Sequence, residues 1–144
     1  MFSRARYCAL LALTFAAGSL LTVQFMKNDV HAQGKRVFEL RTYHALPGRL
    51  PALQARFRDH TLKLFVKHGM TNVGYWTPAD APASENTLIY VLSHASREAA
   101  KKSWDDFRND PEWQAVAKAS EADGKIVEKV ESVFMDATDY SPMQ

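Results

Sequence analysis

Glu39, Arg41 and Tyr43 stand two residues apart in the run Val37-Phe38-Glu39-Leu40-Arg41-Thr42-Tyr43. On a β-strand that spacing puts a carboxylate, a planar fork of cationic donors and a phenol on one face, and sends Phe38, Leu40 and Thr42 to the other. The polar trio could orient a small ligand or take part in proton transfer. A cross-strand ion pair beside an interface tyrosine is the plainer use of the same residues. A later strand holds Tyr90 and His94. If Ile89 and Val91 face the helices, alternation brings Tyr90 and His94 to the same open face as the trio. Chemistry there would use Glu39 or His94 as base and Arg41 to stabilise developing negative charge, with substrate activation in place of a cofactor. Tyr43 and Tyr90 would line the cavity, together with either Tyr75 or Trp76, since neighbours on a strand point opposite ways. His60 falls on the apolar stripe of Leu50, Leu53, Phe57 and Leu64, where it is either a core residue or a ligand contact.

The remaining sequence excludes more than it assigns. The chain has one cysteine, Cys8, and five histidines, none of the latter paired at the spacing of a metal-binding helix, so no metal site is expected. His44 and His68 sit at element ends, where cap roles suffice. Haem held through His94, His60 or His44 is the alternative to a cofactor-free site. No Gly-rich phosphate loop, no Gly-x-Ser-x-Gly and no basic aromatic patch is present, which argues against nucleotide use, serine hydrolysis and nucleic-acid binding.

These residues need a scaffold. After the first strand, Leu46-Pro47-Gly48 breaks the pattern, and apolar spacing predicts a helix from about Arg49 to Lys67 that Gly69 stops. Met70 to Thr77 read as a strand, the Pro78 to Ser84 segment as a loop, and Thr87 to His94 as a third strand. Ser96 can cap the next helix, whose face carries Ala100, Trp104 and Phe107. Asp110-Pro111-Glu112 signals a fresh start, with Asp110 as cap and Pro111 at the first helical position, so that helical region is broken in two. A last strand spans about Ile126 to Met135, irregular near Val133-Phe134-Met135, where a bulge is expected. The order βαββαβ predicts an α+β ferredoxin-like sandwich: a four-stranded antiparallel sheet with both helical regions on one face. The bare sheet face would be a large patch. A homodimer closing the two sheets over a shared cavity would hide it.

Residues 1–32 read as an export signal. Arg4 and Arg6 precede an uncharged run from Tyr7 to Met26, and Val30-His31-Ala32 suits cleavage before Gln33. A retained membrane anchor is the alternative, since the run has spanning length. Cleavage would remove Arg4, Arg6 and Lys27 from the 18 basic residues and Asp29 from the 16 acidic ones, leaving 15 of each. Residues 33–144 would then form one charge-balanced domain without cysteine, periplasmic or secreted, and without bias toward nucleic acid or anionic membrane.

Glu39-Leu40-Arg41-Thr42-Tyr43, Pro47-Gly48, His68-Gly69 with Gly74-Tyr75-Trp76, Trp104 with Phe107 and Asp110-Pro111-Glu112-Trp113, and Tyr140-Ser141-Pro142 follow one another across this domain. In that order they resemble the NIPSNAP family of the dimeric α/β-barrel superfamily. The resemblance implies a ferredoxin-like dimer among relatives that include small cofactor-light monooxygenases and haem-handling proteins. Fold kinship assigns no reaction. Two functions follow as expectations: a homodimer binding a small organic molecule between its sheets, with monooxygenase-like or isomerase-like activity, or a non-enzymatic dimeric interaction module.

Overall fold

The computed structural model describes residues 36–143, and the export signal expected over 1–32 lies outside them. Strand β1 (Val37–Ala45) is followed by helix α1 (Leu50–Arg56), a π-helical turn (Phe57–Thr61) and helix α2 (Leu62–Lys67). Strands β2 (Thr71–Trp76) and β3 (Thr87–His94) come next. Helices α3 (Arg97–Asn109) and α4 (Pro111–Ser120) then lead to strand β4 (Val127–Asp136). All pairings are antiparallel and the strand order is β2-β3-β1-β4. This is the ferredoxin-like α+β arrangement expected.

The stops and starts act as their residue types dictate. Gly69 takes φ of 77°, left-handed geometry that costs glycine nothing, and so ends α2. The Ser96 hydroxyl accepts from the Ala99 N–H at 3.1 Å to cap α3, and the Asp110 carboxylate accepts from the Glu112 N–H at 2.8 Å to cap α4. The core lies between sheet and helices, where Leu53, Phe57, Leu64 and Phe65 meet Trp104, Phe107, Leu88, Tyr90 and Leu92.

Three expectations are corrected. The helix expected from about 49 to 67 runs from Leu50 to Lys67, but its regular spacing does not hold: a π-turn within it adds a residue to one turn and shifts the phase, so Thr61 is buried while His60, expected on the apolar stripe, faces solvent. The β1–β4 bulge falls between His44 and Ala45 rather than near residues 133–135, and β2 carries another between Asn72 and Gly74. The third is the largest. Phe38, Leu40, Thr42, Ile89 and Val91 do not face the helices. Arg41 opposes Tyr90, and Val37 opposes His94, so Glu39, Arg41, Tyr43, Tyr90 and His94 do share a face, but it is the covered one: Glu39 is 1% exposed and Tyr90 0%. The polar face won because α3 delivers Trp104 onto Glu39, which satisfies the carboxylate and makes its burial tolerable. The bare face presents Leu40, Thr42, Ile89 and Val91, all half-buried, with Val133 and Trp76 at the sheet edges more than half exposed.

Candidate functional site

Alternation carries Glu39 under α3, and four donors converge on its carboxylate. Arg41 Nη1 at 2.8 Å and the Ser132 hydroxyl at 2.7 Å donate to Oε1. His94 Nε2 lies 3.0 Å and Trp104 Nε1 2.7 Å from Oε2. Burial alone would raise the Glu39 carboxyl, but hydrogen bonds from His94, Ser132, Trp104 and Arg41 outweigh it and hold the pKa down at about 2. A carboxylate that acidic, with its oxygens already engaged, is a poor proton acceptor. Its work is positional: it fixes one guanidinium, one indole, one imidazole and one hydroxyl drawn from three strands and a helix.

Arg41 lies over Trp104, its Cζ 4.2 Å from the ring centroid, with the Tyr43 ring at 5.6 Å. Burial would lower its pKa, but Tyr90, Tyr43 and Glu39 push it further above the ordinary guanidinium value, so the charge is permanent. Beside it runs a cleft of about 520 Å³ between β1, β4 and α3, lined by Arg41, Arg97, Lys101, Trp104, Arg108 and Phe134 along with Glu39, Glu98 and Ser132. Arg97, exposed to solvent, stacks over Phe134 with its Cζ 3.5 Å from the centroid. Four cations meet two carboxylates in this lining. Asp105, just outside, pairs with Lys101 and Arg108, and Glu39 with Arg41. Arg97 makes no ion pair within the hydrogen-bonding distances found among the described residues. The cleft is therefore positive, walled by two aromatic rings, each with a guanidinium on its face. Such a lining suits a flat organic anion.

The remaining candidates separate. Tyr75 is on the covered face and stacks on Tyr90 with centroids 5.3 Å apart, its hydroxyl donating to Asn72 Oδ1 at 2.5 Å. Trp76 takes the opposite side and lies 53% exposed, its indole folded over the Gly74 backbone, where a Cβ would overlap the ring. Of the two neighbours, Tyr75 is the one that turns toward Tyr43 and Tyr90. His60 is exposed on the π-turn and is remote from the network. The histidines considered for haem do not converge: His94 is bound to Glu39 under α3, His44 pairs with Glu131 at 3.1 Å on the bare face, and His60 points to solvent. Among the described residues no three His, Cys, Asp or Glu side chains gather as metal ligands, and no helix is long and apolar enough to cross a membrane.

The reading of strands alone missed the α3 contribution. Arg97, Lys101, Trp104 and Arg108 follow one another at steps of four, three and four residues, which places them on one helical stripe. That spacing was the available signal. Ser132 and Phe134 left none, because only the β1–β4 register sets them opposite Arg41 and Glu39.

Comparison with known proteins agrees with this architecture. The NIPSNAP family model matches residues 38–142. A solved NIPSNAP family protein of unknown function from Agrobacterium tumefaciens is 22% identical, superposes with a TM-score of 0.66, and the match covers 79% of this chain and 97% of that one. An uncharacterised NIPSNAP domain protein from Burkholderia xenovorans is 21% identical with a TM-score of 0.62, over 74% and 98% of the two chains. SnoaB, a cofactor-independent oxygenase from Streptomyces nogalater, is similar in fold at 13% identity and a TM-score of 0.52, over 76% of this chain and 99% of its own. No curated protein matches.

Proposed function

The chain belongs to the NIPSNAP family, and from that premise we propose that it is an exported homodimer that binds a small, flat organic anion in the cleft between β1, β4 and α3. The observation that carries this reading is the pair of guanidiniums, Arg41 on Trp104 and Arg97 on Phe134, in one positively charged lining. Stacking fixes each planar cation while leaving N–H edges for a carboxylate or enolate. The aromatic rings supply contact for an apolar body. The dimer forms through the bare sheet face, where Leu40, Ile89, Val91, Val133 and Trp76 make an apolar surface that pairing would bury. Export rests on the composition of the first 32 residues.

Turnover, where it occurs, is monooxygenase-like or isomerase-like and uses no cofactor, with Arg41 countering negative charge on the ligand. SnoaB's chemistry on a similar fold supports that class. The saturated, strongly acidic Glu39 favours a second reading, a dimeric module that binds without turnover. Calorimetric titration with 2-naphthoate and with uncharged 2-naphthalenemethanol, in wild type and Arg97→Gln, tests the site. Salt-sensitive binding of the carboxylate alone, weakened roughly tenfold in the variant, supports it. Equal binding of both compounds, or indifference to Arg97→Gln, overturns it.

A further inference from the structure

The cations of the cleft do not gather at one point. Arg97 opens α3 and stacks on Phe134, while Arg41 stacks on Trp104, which lies seven residues further along the helix. Seven residues are two turns, so positions 97 and 104 share a helix face and stand roughly 10 Å apart along its axis. The sheet gives a similar measure: Arg41 opposes Ser132, and Phe134 lies two residues beyond it on the same face of β4, roughly 7 Å away. One carboxylate matches one guanidinium fork and cannot serve both across that gap. Both cations have donors to offer. Arg97 is exposed and makes no ion pair among the described residues, and Arg41 gives only Nη1 to Glu39 and stays 17% exposed on the cleft. Lys101, between positions 97 and 104, shares the Asp105 carboxylate with Arg108. Glu98 does not fill the gap: its carboxylate turns back to its own backbone N–H and to Ser96 at the start of α3, which hold its pKa down. The space is sufficient, since about 520 Å³ falls within the range that takes a drug-sized molecule.

We infer that the ligand of this cleft is two-ended: a planar organic dianion with a carboxylate at either end of a rigid apolar body, one end on Arg97 and the other on Arg41. This rests on the cleft being the binding site, and it narrows the ligand class from flat anions in general to elongated dicarboxylates. Each end meets a guanidinium already held against its own ring, Phe134 or Trp104, so pairing costs little side-chain freedom. The same two rings flank the apolar body. A monoanion seated on Arg97 leaves Arg41 facing an apolar edge, and a dianion with its acids side by side crowds both onto one cation. Spacing, more than total charge, is then what selects the ligand, and the two helical turns between positions 97 and 104 set that spacing. Glu39 is a positioning residue here, because its bond to Nη1 holds the Arg41 guanidinium at the cleft.

Three naphthalene acids separate spacing from charge by calorimetric titration at pH 7 and one fixed salt concentration. 2-Naphthoate has one acid, 2,6-naphthalenedicarboxylate has one at each end, and 2,3-naphthalenedicarboxylate has two side by side. The 2,6 compound is expected to bind roughly tenfold or more tighter than 2-naphthoate, the size of an added hydrogen bond to a charged group, and the 2,3 compound to gain less than half of that factor. Arg97→Gln, on an exposed first-turn residue, is expected to weaken 2-naphthoate and the 2,6 compound by similar factors. The ratio between them then survives, because the second acid is held at Arg41. A 2,6 compound no tighter than 2-naphthoate, a 2,3 compound that gains as much, or a ratio that falls to one in Arg97→Gln overturns the two-ended ligand. If 2-naphthoate binds and depends on Arg97 while the 2,6 compound gains nothing, the two-ended ligand is wrong and the cleft stands. If none of the three binds, both fall.

Discussion

Replacing Glu39 with glutamine keeps the shape and removes the charge from the point where four donors meet. The amide offers one oxygen where the carboxylate offered two, and puts an N–H₂ against a pair of existing donors. With its oxygen toward Arg41 and Ser132, the amide nitrogen faces Trp104 Nε1 and His94 Nε2, which lie 2.7 and 3.0 Å from the present oxygen. His94 can respond by moving its proton to Nδ1, unpartnered in the native protein, and accepting at Nε2. Trp104 can only donate, so its N–H is left facing a donor. Arg41 loses its counter-charge while 17% exposed. A lost bond to a charged group costs about 1.5–3 kcal/mol, and an uncompensated buried charge about 3–5 kcal/mol, so the variant is expected to lose roughly 3–5 kcal/mol, read as a lower midpoint in urea unfolding at pH 7. The pH dependence supplies the second half. The native carboxyl sits at about 2 against an ordinary 4.5. Its contribution, roughly 2–3 kcal/mol after allowance for solvent in the cleft, is therefore present above pH 4.5 and lost as pH falls from there toward 2. Glu39→Gln should flatten that part of the stability curve. A loss below about 1 kcal/mol with the acid limb unchanged would refute the claim that Glu39 organises this region.

Gly74→Ala sets a Cβ into the Trp76 indole, and the ring must swing off the strand; a red-shifted, more quenchable tryptophan emission is expected, and an unchanged spectrum would contradict the contact. Asp110→Ala removes the α4 cap and the partner of Lys67 and His68, at 2.7 and 2.6 Å; the melting temperature should fall, and Asp110→Asn, which keeps a capping oxygen, should restore part of the loss. Val133→Asp puts a charge on the bare sheet face where the native side chain is 56% exposed; light scattering is expected to report a dimer for wild type and a monomer of normal helicity for the variant, and a variant that stays dimeric would move the interface elsewhere.

The order of elements could be read from the chain because each is marked locally: alternation over Val37–Tyr43, Gly69 behind α2, Ser96 and Asp110 as caps. Which sheet face lies under the helices could not. Both faces of β1 and β3 carry apolar residues, so period-two spacing finds two faces without saying which is covered. Glu39 looks like a surface residue until Trp104, His94 and Ser132, which lie 65, 55 and 93 positions away, supply its partners. The residues expected to act together do share a face. The polarity of single side chains does not decide burial here; whether the fold completes their hydrogen bonds does. The π-turn that turns His60 outward left no mark in composition.

A crystal structure of the protein grown with 2-naphthoate tests the central claim most directly. The carboxylate is expected in the cleft under α3, within hydrogen-bonding reach of Arg41 or Arg97, with the naphthalene against Trp104 or Phe134. Electron density for the ligand on the bare sheet face instead, among Leu40, Val91 and Val133, would contradict it.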